Sequence, residues 1–258
     1  MVSFTFIDAT VQNRVGRIEL NRPDQLNALN RQMINEIVTA LEDHDRTDKV
    51  NVILITGKGK AFSAGADIDE MKDLSPVDLE YLNQFADWDR MAMIKKPILC
   101  AVQGVALGGG FELVLSCDLV LATEKTMFAF PEVNIGVMPG AGGTQRLTKL
   151  VGKTKALEWL LTGDRISATE ALQYGIINKV VQPELLEEEA IGFAERLAKQ
   201  PALSLRLIKD AVQVAQHASV YDGMQQERKN FYLLFASHDQ KEGMEAFVEK
   251  RNPKYEGR

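Results

Sequence analysis

The sequence predicts an α/β core followed by a helical tail, and three observations carry that expectation. Short continuous apolar runs rich in β-branched residues, Val52 to Thr56 and Ile98 to Val102, suit strands buried on both faces. Between such runs lie segments with apolar residues at helical spacing, the alternation expected of strands joined by helical crossovers. Near residue 200 the strand pattern stops, and the 258-residue chain continues in amphipathic segments only. The expected division is residues 1–199 for the core and 200–258 for the helical region.

Taken in order, Phe4 to Asp8 and Gly16 to Leu20 alternate apolar with polar positions around the turn-forming Gln12-Asn13-Arg14, which predicts a hairpin. Asn30 is placed to cap a helix in which Met33, Ile34, Ile37 and Leu41 recur on one face. After the strand at Val52, a glycine-bearing loop leads into a short helix from about Ile68. Asp78 to Lys95 reads as one longer helix with Leu79, Leu82, Phe85, Trp88 and Met91 on a common face. The strand at Ile98 is followed by Gly108-Gly109-Gly110, which opens a helix to about Ser116, and then by strands at Leu119 to Ala122 and Met127 to Phe130. Two helices follow from Gly140, with Gly163 as a stop. Ser167 and Glu170 have the spacing of a capping box, and Ile176 to Val181 is the last predicted strand. Beyond Pro183 the text is helical, punctuated at Pro201 and near Gly243.

Composition narrows the function classes. Apolar residues make up 45% of the chain and charged ones 26%, as in an ordinary globular protein rather than a disordered one. A formal net charge of -6 argues against nucleic acid or an anionic membrane as the general partner. The two cysteines, Cys100 and Cys117, sit in apolar runs with no CxxC or Cys/His cluster, so free thiols are expected rather than a disulfide or a metal site. The first ten residues lack the basic and apolar regions of a secretory leader, and no run of about 18 apolar residues occurs. The expected compartment is the cytoplasm.

The stretch from Ala106 to Gly143 carries the chemistry. It sets two acidic residues, Glu112 and Glu132, inside apolar text beside glycines, where an unpaired carboxylate is costly. Singly, each has a structural reading: Glu112 as a partner for an amide or an arginine at a helix start, Glu132 as a polar residue in a turn after Pro131. The glycine run at 108–110 permits close packing, and it also leaves free amides at a helix start that can face a developing oxyanion. A second segment of this type, Ser63-Ala64-Gly65-Ala66-Asp67, offers the second donor that such a site needs. No GxxxxGK[ST] is present, and no GxGxxG opens a helix after a strand, so the nucleotide-binding folds lack their motif.

Three separated blocks, GKAFSAGADIDEM, AVQGVALGGGFELVLSCDLVLA and FAFPEVNIGVMPGAGGTQRL, resemble the enoyl-CoA hydratase/isomerase family, also called the crotonase family, in order and spacing. The resemblance runs from NRPDQLNAL to the closing FVEKR. It implies a crotonase-like spiral of ββα units with a C-terminal helical region that assembles a homotrimer or a homohexamer built as a pair of trimers. It implies an acyl-CoA thioester as substrate and no separate cofactor, CoA being part of that substrate. By position, Ala66 and Gly109 match the oxyanion-hole amides, and Glu112 and Glu132 match the two catalytic glutamates. In the family's usual assignment Glu112 acts on the water and Glu132 delivers a proton to Cα. Ala64 matches the backbone contact to adenine. Lys250 matches a basic residue that meets the CoA phosphates, with a neighbouring subunit as one source of it, and Arg22 is expected to bind CoA as well, partly substituting for basic groups that this chain lacks. Asp24 and Asp69 depart from the pattern, where many relatives carry lysines. The segment from Ile68 to Ile94 corresponds to the family's variable acyl-pocket wall, which makes Ile68, Met71 and Trp88 pocket residues by resemblance.

Hydrating an α,β-unsaturated thioester needs a base for water, an acid for Cα and donors for the charge that gathers on the carbonyl oxygen, and these residue types supply all three. Within the family the alternative is a double-bond isomerase, which can work with the Glu132-like residue alone. Outside it, an RNA-binding role of the same fold is disfavoured by the negative charge, and a scaffold without catalysis is disfavoured by the intact pair. The histidines, His44, His217 and His238, fall outside the blocks and are expected at the surface. The acidic run Glu184 to Glu189 is expected to be a solvated helix face.

Overall fold

A computed structural model describes residues 4–258; residues 1–3, part of the stretch read above for a leader, lie outside the described residues. The chain opens with strands β1 (Ile7–Gln12) and β2 (Val15–Leu20), an antiparallel pair joined through Asn13 and Arg14, both at positive φ, as a two-residue hairpin turn requires. Helix α1 (Arg31–Arg46) starts where Asn30 Oδ1 accepts the Met33 amide at 2.8 Å. Strand β3 (Val52–Gly57) then returns parallel to β2. Next come α2 (Pro76–Leu82), α3 (Ala86–Met91), β4 (Ile98–Val102), β5 (Val105–Leu107), α4 (Gly109–Ser116), β6 (Leu119–Thr123) and β7 (Met127–Ala129). Helices α5 (Gly143–Val151) and α6 (Lys153–Thr162), strand β8 (Ile166–Ser167), helix α7 (Ala168–Gln173) and strand β9 (Lys179–Val181) complete the mixed part. Four helices close the chain: α8 (Leu186–Ala198), α9 (Ala202–Val214), α10 (Val220–Leu234) and α11 (His238–Glu249).

The strands form two sheets. The larger has the order β1-β2-β3-β4-β6-β9, parallel apart from its first pair, and the smaller has the order β5-β7-β8. From β4 onward the chain passes back and forth between them, β4 to β5 and β6 to β7, and this alternation winds the spiral. Side-chain alternation along the large sheet explains its burial. Ile53 and Ile55 face the main core with α1 and α4, while Val52 and Leu54 face a second core closed by α8. Ala190, Ala194 and Ala198 recur every four residues on α8 and are buried there, so the helix lies close against the sheet.

Several expectations are corrected. The single helix over Asp78 to Lys95 is two helices, because Asn83 takes the left-handed conformation (φ 41°) that ends α2, a conformation asparagine tolerates well. Trp88 and Met91 are buried as expected, but Leu82 and Phe85 are exposed. His44 is not a surface residue. It is 7% exposed, with its ring stacked so close to Gly16 that a Cβ there would lie 2.7 Å away. His217 and His238 are exposed. Gly243 lies inside α11 rather than between helices. Both cysteines are free thiols, Cys100 buried and Cys117 partly so. Strands β5 and β8, at three and two residues, have no counterpart in the sequence reading.

Candidate active site

A cleft of about 630 Å³ is lined by Ala66, Gly109, Glu112 and Glu132, together with Ile68, Met71 and Trp88. The small sheet brings these distant residues together. Strand β5 pairs in parallel with β7 in the register Leu107↔Ala129, so the residues just beyond each strand, Gly108-Gly109 on one and Pro131-Glu132 on the other, emerge at the same end. The segment before Ala66 lies along β5 on its other side: the Ser63 amide donates to the Val105 carbonyl, and the Leu107 amide donates to the Ser63 carbonyl.

Two backbone amides face the cleft from this junction. Around Ala66, the Gly65 carbonyl accepts from the Leu29 amide (2.7 Å) and the Asp67 amide donates to the Leu29 carbonyl (3.0 Å). Extended backbone alternates its donors, so the Ala66 amide points the opposite way and donates to no backbone carbonyl among the described residues. Gly109 is the first residue of α4, and its amide therefore has no partner within the helix. A Cβ on Gly109 would lie 3.6 Å from the Ala66 nitrogen, so the two donors are neighbours. Together they can hold one oxygen that is gaining negative charge, and the positive end of α4 adds to their field.

Glu112 lies in the first turn of α4 and is 4% exposed. Its Oε1 accepts the amides of Ala141 (2.7 Å), in the loop before α5, and of Gly143 (2.8 Å), the first residue of that helix. Burial pushes its carboxyl above the usual glutamate range, and those two amides and the Arg146 charge oppose the rise.

Glu132 sits in a single 3-10 turn, Pro131–Ile135, directly after β7. Its carboxyl lies over Gly108, whose φ of 49° and lack of a side chain make the space: a Cβ there would be 2.8 Å from Glu132 Oε1. Its Oε2 is buried without a hydrogen-bond partner. Burial above all pushes this carboxyl up to about 7, opposed by its own backbone N–H and helped by the nearby Glu112 charge. One cleft therefore holds a carboxyl with two fixed donors and another whose titration is pushed up to about 7.

The remaining predicted residues divide. Ile68, Met71 and Trp88 line the cleft. Ala64 lies two residues before the Ala66 donor, with its amide already given to the Leu26 carbonyl, so its carbonyl is what it can offer a ligand. Arg22 and Lys250 do not line the cleft. Arg22 donates to the Ala28 carbonyl (2.6 Å) and to Asp67 Oδ2 (3.1 Å) and lies over the Phe6 ring, and this ties down the residue next to Ala66. Lys250 is exposed at the end of α11.

Asn27 and Ser63 were missed by the sequence reading. The fully buried Asn27 side chain donates to the Lys58 and Ala61 carbonyls and accepts the Arg22 amide, while its own carbonyl accepts the Ser63 hydroxyl (2.8 Å). Ser63 Oγ in turn accepts the Gly65 amide (3.2 Å), so the loop presenting Ala66 is held at both ends. Asn27 lies in the polar stretch NRPDQLNALN and leaves no signal, whereas Ser63, between Phe62 and Ala64, is the one polar side chain in AFSAGA.

Comparison with known proteins gives concordant findings. A family model described as enoyl-CoA hydratase/isomerase matches residues 10–258. The chain is 48% identical over 243 residues to a mitochondrial enoyl-CoA hydratase of Pongo abelii, covering 94% of this chain and 84% of that protein. It is 41% identical over 249 residues to the 2,3-dehydroadipyl-CoA hydratase of Escherichia coli K12, covering 96% and 97% respectively. A crystal structure of enoyl-CoA hydratase subunit I from Geobacillus kaustophilus is similar at a TM-score of 0.97 and 64% identity, over 99% of each chain.

Proposed function

We infer that this chain, which belongs to the enoyl-CoA hydratase/isomerase family, is an enoyl-CoA hydratase that adds water to a trans-2-enoyl-CoA to give a 3-hydroxyacyl-CoA. The observation that carries the reading is the pairing, in one cleft, of two unlike carboxyls with two unpartnered amides. In this mechanism the Ala66 and Gly109 amides hold the thioester oxygen and withdraw charge from the double bond. Glu112, whose two amide donors and Arg146 favour its charged form against burial, takes a proton from water as the oxygen attacks Cβ. Glu132, whose carboxyl titrates at about 7 and so holds a proton in a large fraction of molecules at neutral pH, delivers that proton to Cα. Losing one such amide donor costs about 10²–10³ in rate, so the hole and the acid/base pair are comparable contributors.

For the rest of the ligand, Ala64 offers its carbonyl to the adenine. Lys250 reaches the CoA phosphates from a neighbouring subunit, which accords with its distance in sequence and its exposed position. Arg22 serves the CoA end by holding Asp67 and its loop. Residues 200–258 form the oligomerisation region of a trimer or a pair of trimers. Large apolar side chains left exposed on these helices support this, among them Val220 (81%) and Phe247 (84%), a surface of the kind that marks an interface. No helix among the described residues is long and apolar enough to cross a membrane. Free thiols at Cys100 and Cys117 accord with a reducing cytoplasm.

The test is hydration of crotonyl-CoA, followed by loss of the conjugated thioester absorbance and by chromatography of the 3-hydroxy product. Turnover by the parent and its loss in Glu112→Gln and Glu132→Gln are expected; either variant turning over at the parent rate would sink the reading. Light scattering after size exclusion tests the assembly, with a monomer counting against it.

A further inference from the structure

We propose that Arg146 is a positioning residue for Glu112, acting through the loop of Ala141, Gly142 and Gly143 that holds its carboxylate. The inference rests on the reading of Glu112 as the group that acts on water. Three consecutive peptide planes are involved. The first and third carry the Ala141 and Gly143 amides, both of which donate to Glu112 Oε1. The middle plane carries the Ala141 carbonyl, and this accepts from Arg146 Nη1 at 2.8 Å. Gripping the middle plane fixes the orientation of the peptide that links the two donors, and so restrains both of them.

The grip is itself built in. Arg146 lies one turn into the helical segment that begins at the loop, and its amide donates to the Gly142 carbonyl at 2.9 Å. Its guanidinium occupies the space that a side chain on Gly142 would fill: a Cβ there would lie 2.2 Å from Nη1, and the φ of 103° already requires glycine. Arg146 is half-buried, and its other side opens on a second cavity of about 340 Å³ behind the loop, shared with Asp89 and Gln145, where water can solvate the charge.

A structural staple alone would leave the charge of Arg146 without a role, but the charge reaches the reacting group. The charged groups acting on this pair are few: Arg146 and Glu132 act on or beside Glu112, and Asp89 acts on Arg146, with the titratable Cys117 thiol also near it. Arg146 is the cation among them, and it favours the ionised form of a buried carboxyl that must accept a proton. Arginine suits the task because a planar guanidinium keeps its charge when half-buried and points a fixed N–H at the carbonyl.

The experiment compares Arg146→Met and Arg146→Lys with the parent as full-length enzyme, each also in a Glu112→Gln background. Arg146→Met is expected to lower kcat by about 10–100-fold, the scale of a small misplacement of a reacting group. KM should stay within about threefold, since the substrate contacts are elsewhere. The acidic limb of kcat/KM, which reports ionisation of Glu112, should move to higher pH when the cation is removed. Arg146→Lys should restore the limb and recover only part of kcat. In the Glu112→Gln background Arg146→Met should cost nothing further, because residues that act as one unit are not additive.

A folded Arg146→Met enzyme with parental kcat and an unmoved limb overturns the proposal. If that variant does not fold, Arg146→Lys decides: reduced kcat at unchanged KM supports the positioning role, and parental kcat overturns it. Parental turnover by Glu112→Gln alone would instead overturn the reading of the site. An inactive Glu112→Gln beside a parental Arg146→Met removes only this inference.

Discussion

Glu112 and Glu132 face one cleft from walls of different construction, and the contrast explains how two identical side chains can take opposite parts. Glu112 rides on the first turn of α4, and its Oε1 is met by two amides and, beyond them, by a guanidinium. Glu132 hangs from a single 3-10 turn over a bare glycine, with one oxygen buried and unpartnered. Burial raises both carboxyls, so burial does not tell them apart. The opposing groups do: two amides and the Arg146 charge favour the charged form at Glu112, while at Glu132 a single backbone N–H, its own, opposes burial and the neighbouring negative charge. In the proposed mechanism the two carboxyls act on one water and titrate as a pair, and this asymmetry favours the proton on Glu132.

The largest test of the contrast removes either group. Glu112→Gln and Glu132→Gln should each lower kcat by about 10²–10⁴-fold, with the double variant only slightly worse than the poorer single one, measured on crotonyl-CoA. The next perturbs geometry without touching a carboxyl. Gly108→Ala puts a methyl 2.8 Å from Glu132 Oε1 at a φ of 49°, and a loss of kcat of about 10–100-fold is expected, with a lowered melting temperature. Retention of parental kcat in this variant would mean that the seat of Glu132 over Gly108 is not needed for the reaction.

A smaller effect appears in the pH dependence. Glu132 must be protonated to act as the acid, so kcat/KM of the free enzyme should fall on the alkaline side with a limb near pH 7, where its carboxyl titrates. A flat profile from pH 6 to 9 would break the assignment of Glu132 as the acid, this window being about one unit below to two above that limb. The smallest effect is on stability. The folded-state pKa of Glu132, about 7, stands above its ordinary value of 4.5. Its contribution to stability is therefore fully present below 4.5 and is lost as pH rises to about 7. Above that the ionised buried carboxylate is a burden on the fold, and Glu132→Gln should melt higher than the parent at pH 8 while matching it more closely at pH 5. For a chain of this size the gain is about 2–4 °C for each kcal/mol relieved, readable by calorimetry. An equal or lower melting temperature at pH 8 would show that burial does not strain this group.

Much of the fold was legible because it is written in side-chain periodicity. The runs at Val52 and Ile98 are buried on both faces, the Asn30 cap and the Ser167–Glu170 box are made as the spacing predicts, and the strand pattern ends at β9. The misreadings have local causes. Asn83 breaks a run whose apolar spacing continues through it, since left-handed asparagine leaves no mark in hydrophobic pattern. His44 is a polar residue enclosed by packing against Gly16, which only the fold reveals.

The sequence by itself determined the layered α/β class, the main core and the presence of two carboxyls where apolar side chains are the rule, because side-chain chemistry and period are properties of the chain. Tertiary structure decided how those carboxyls differ and what stands opposite them. Strands β5, β7 and β8 are two or three residues long, too short to show a period, yet their pairing brings Gly109 and Glu132 to one end and Ala66 beside them. The donors at Ala66, Gly109, Ala141 and Gly143 are backbone N–H groups, which every residue but proline carries. Only the folded path of the main chain selects the few that are left free to face the cleft.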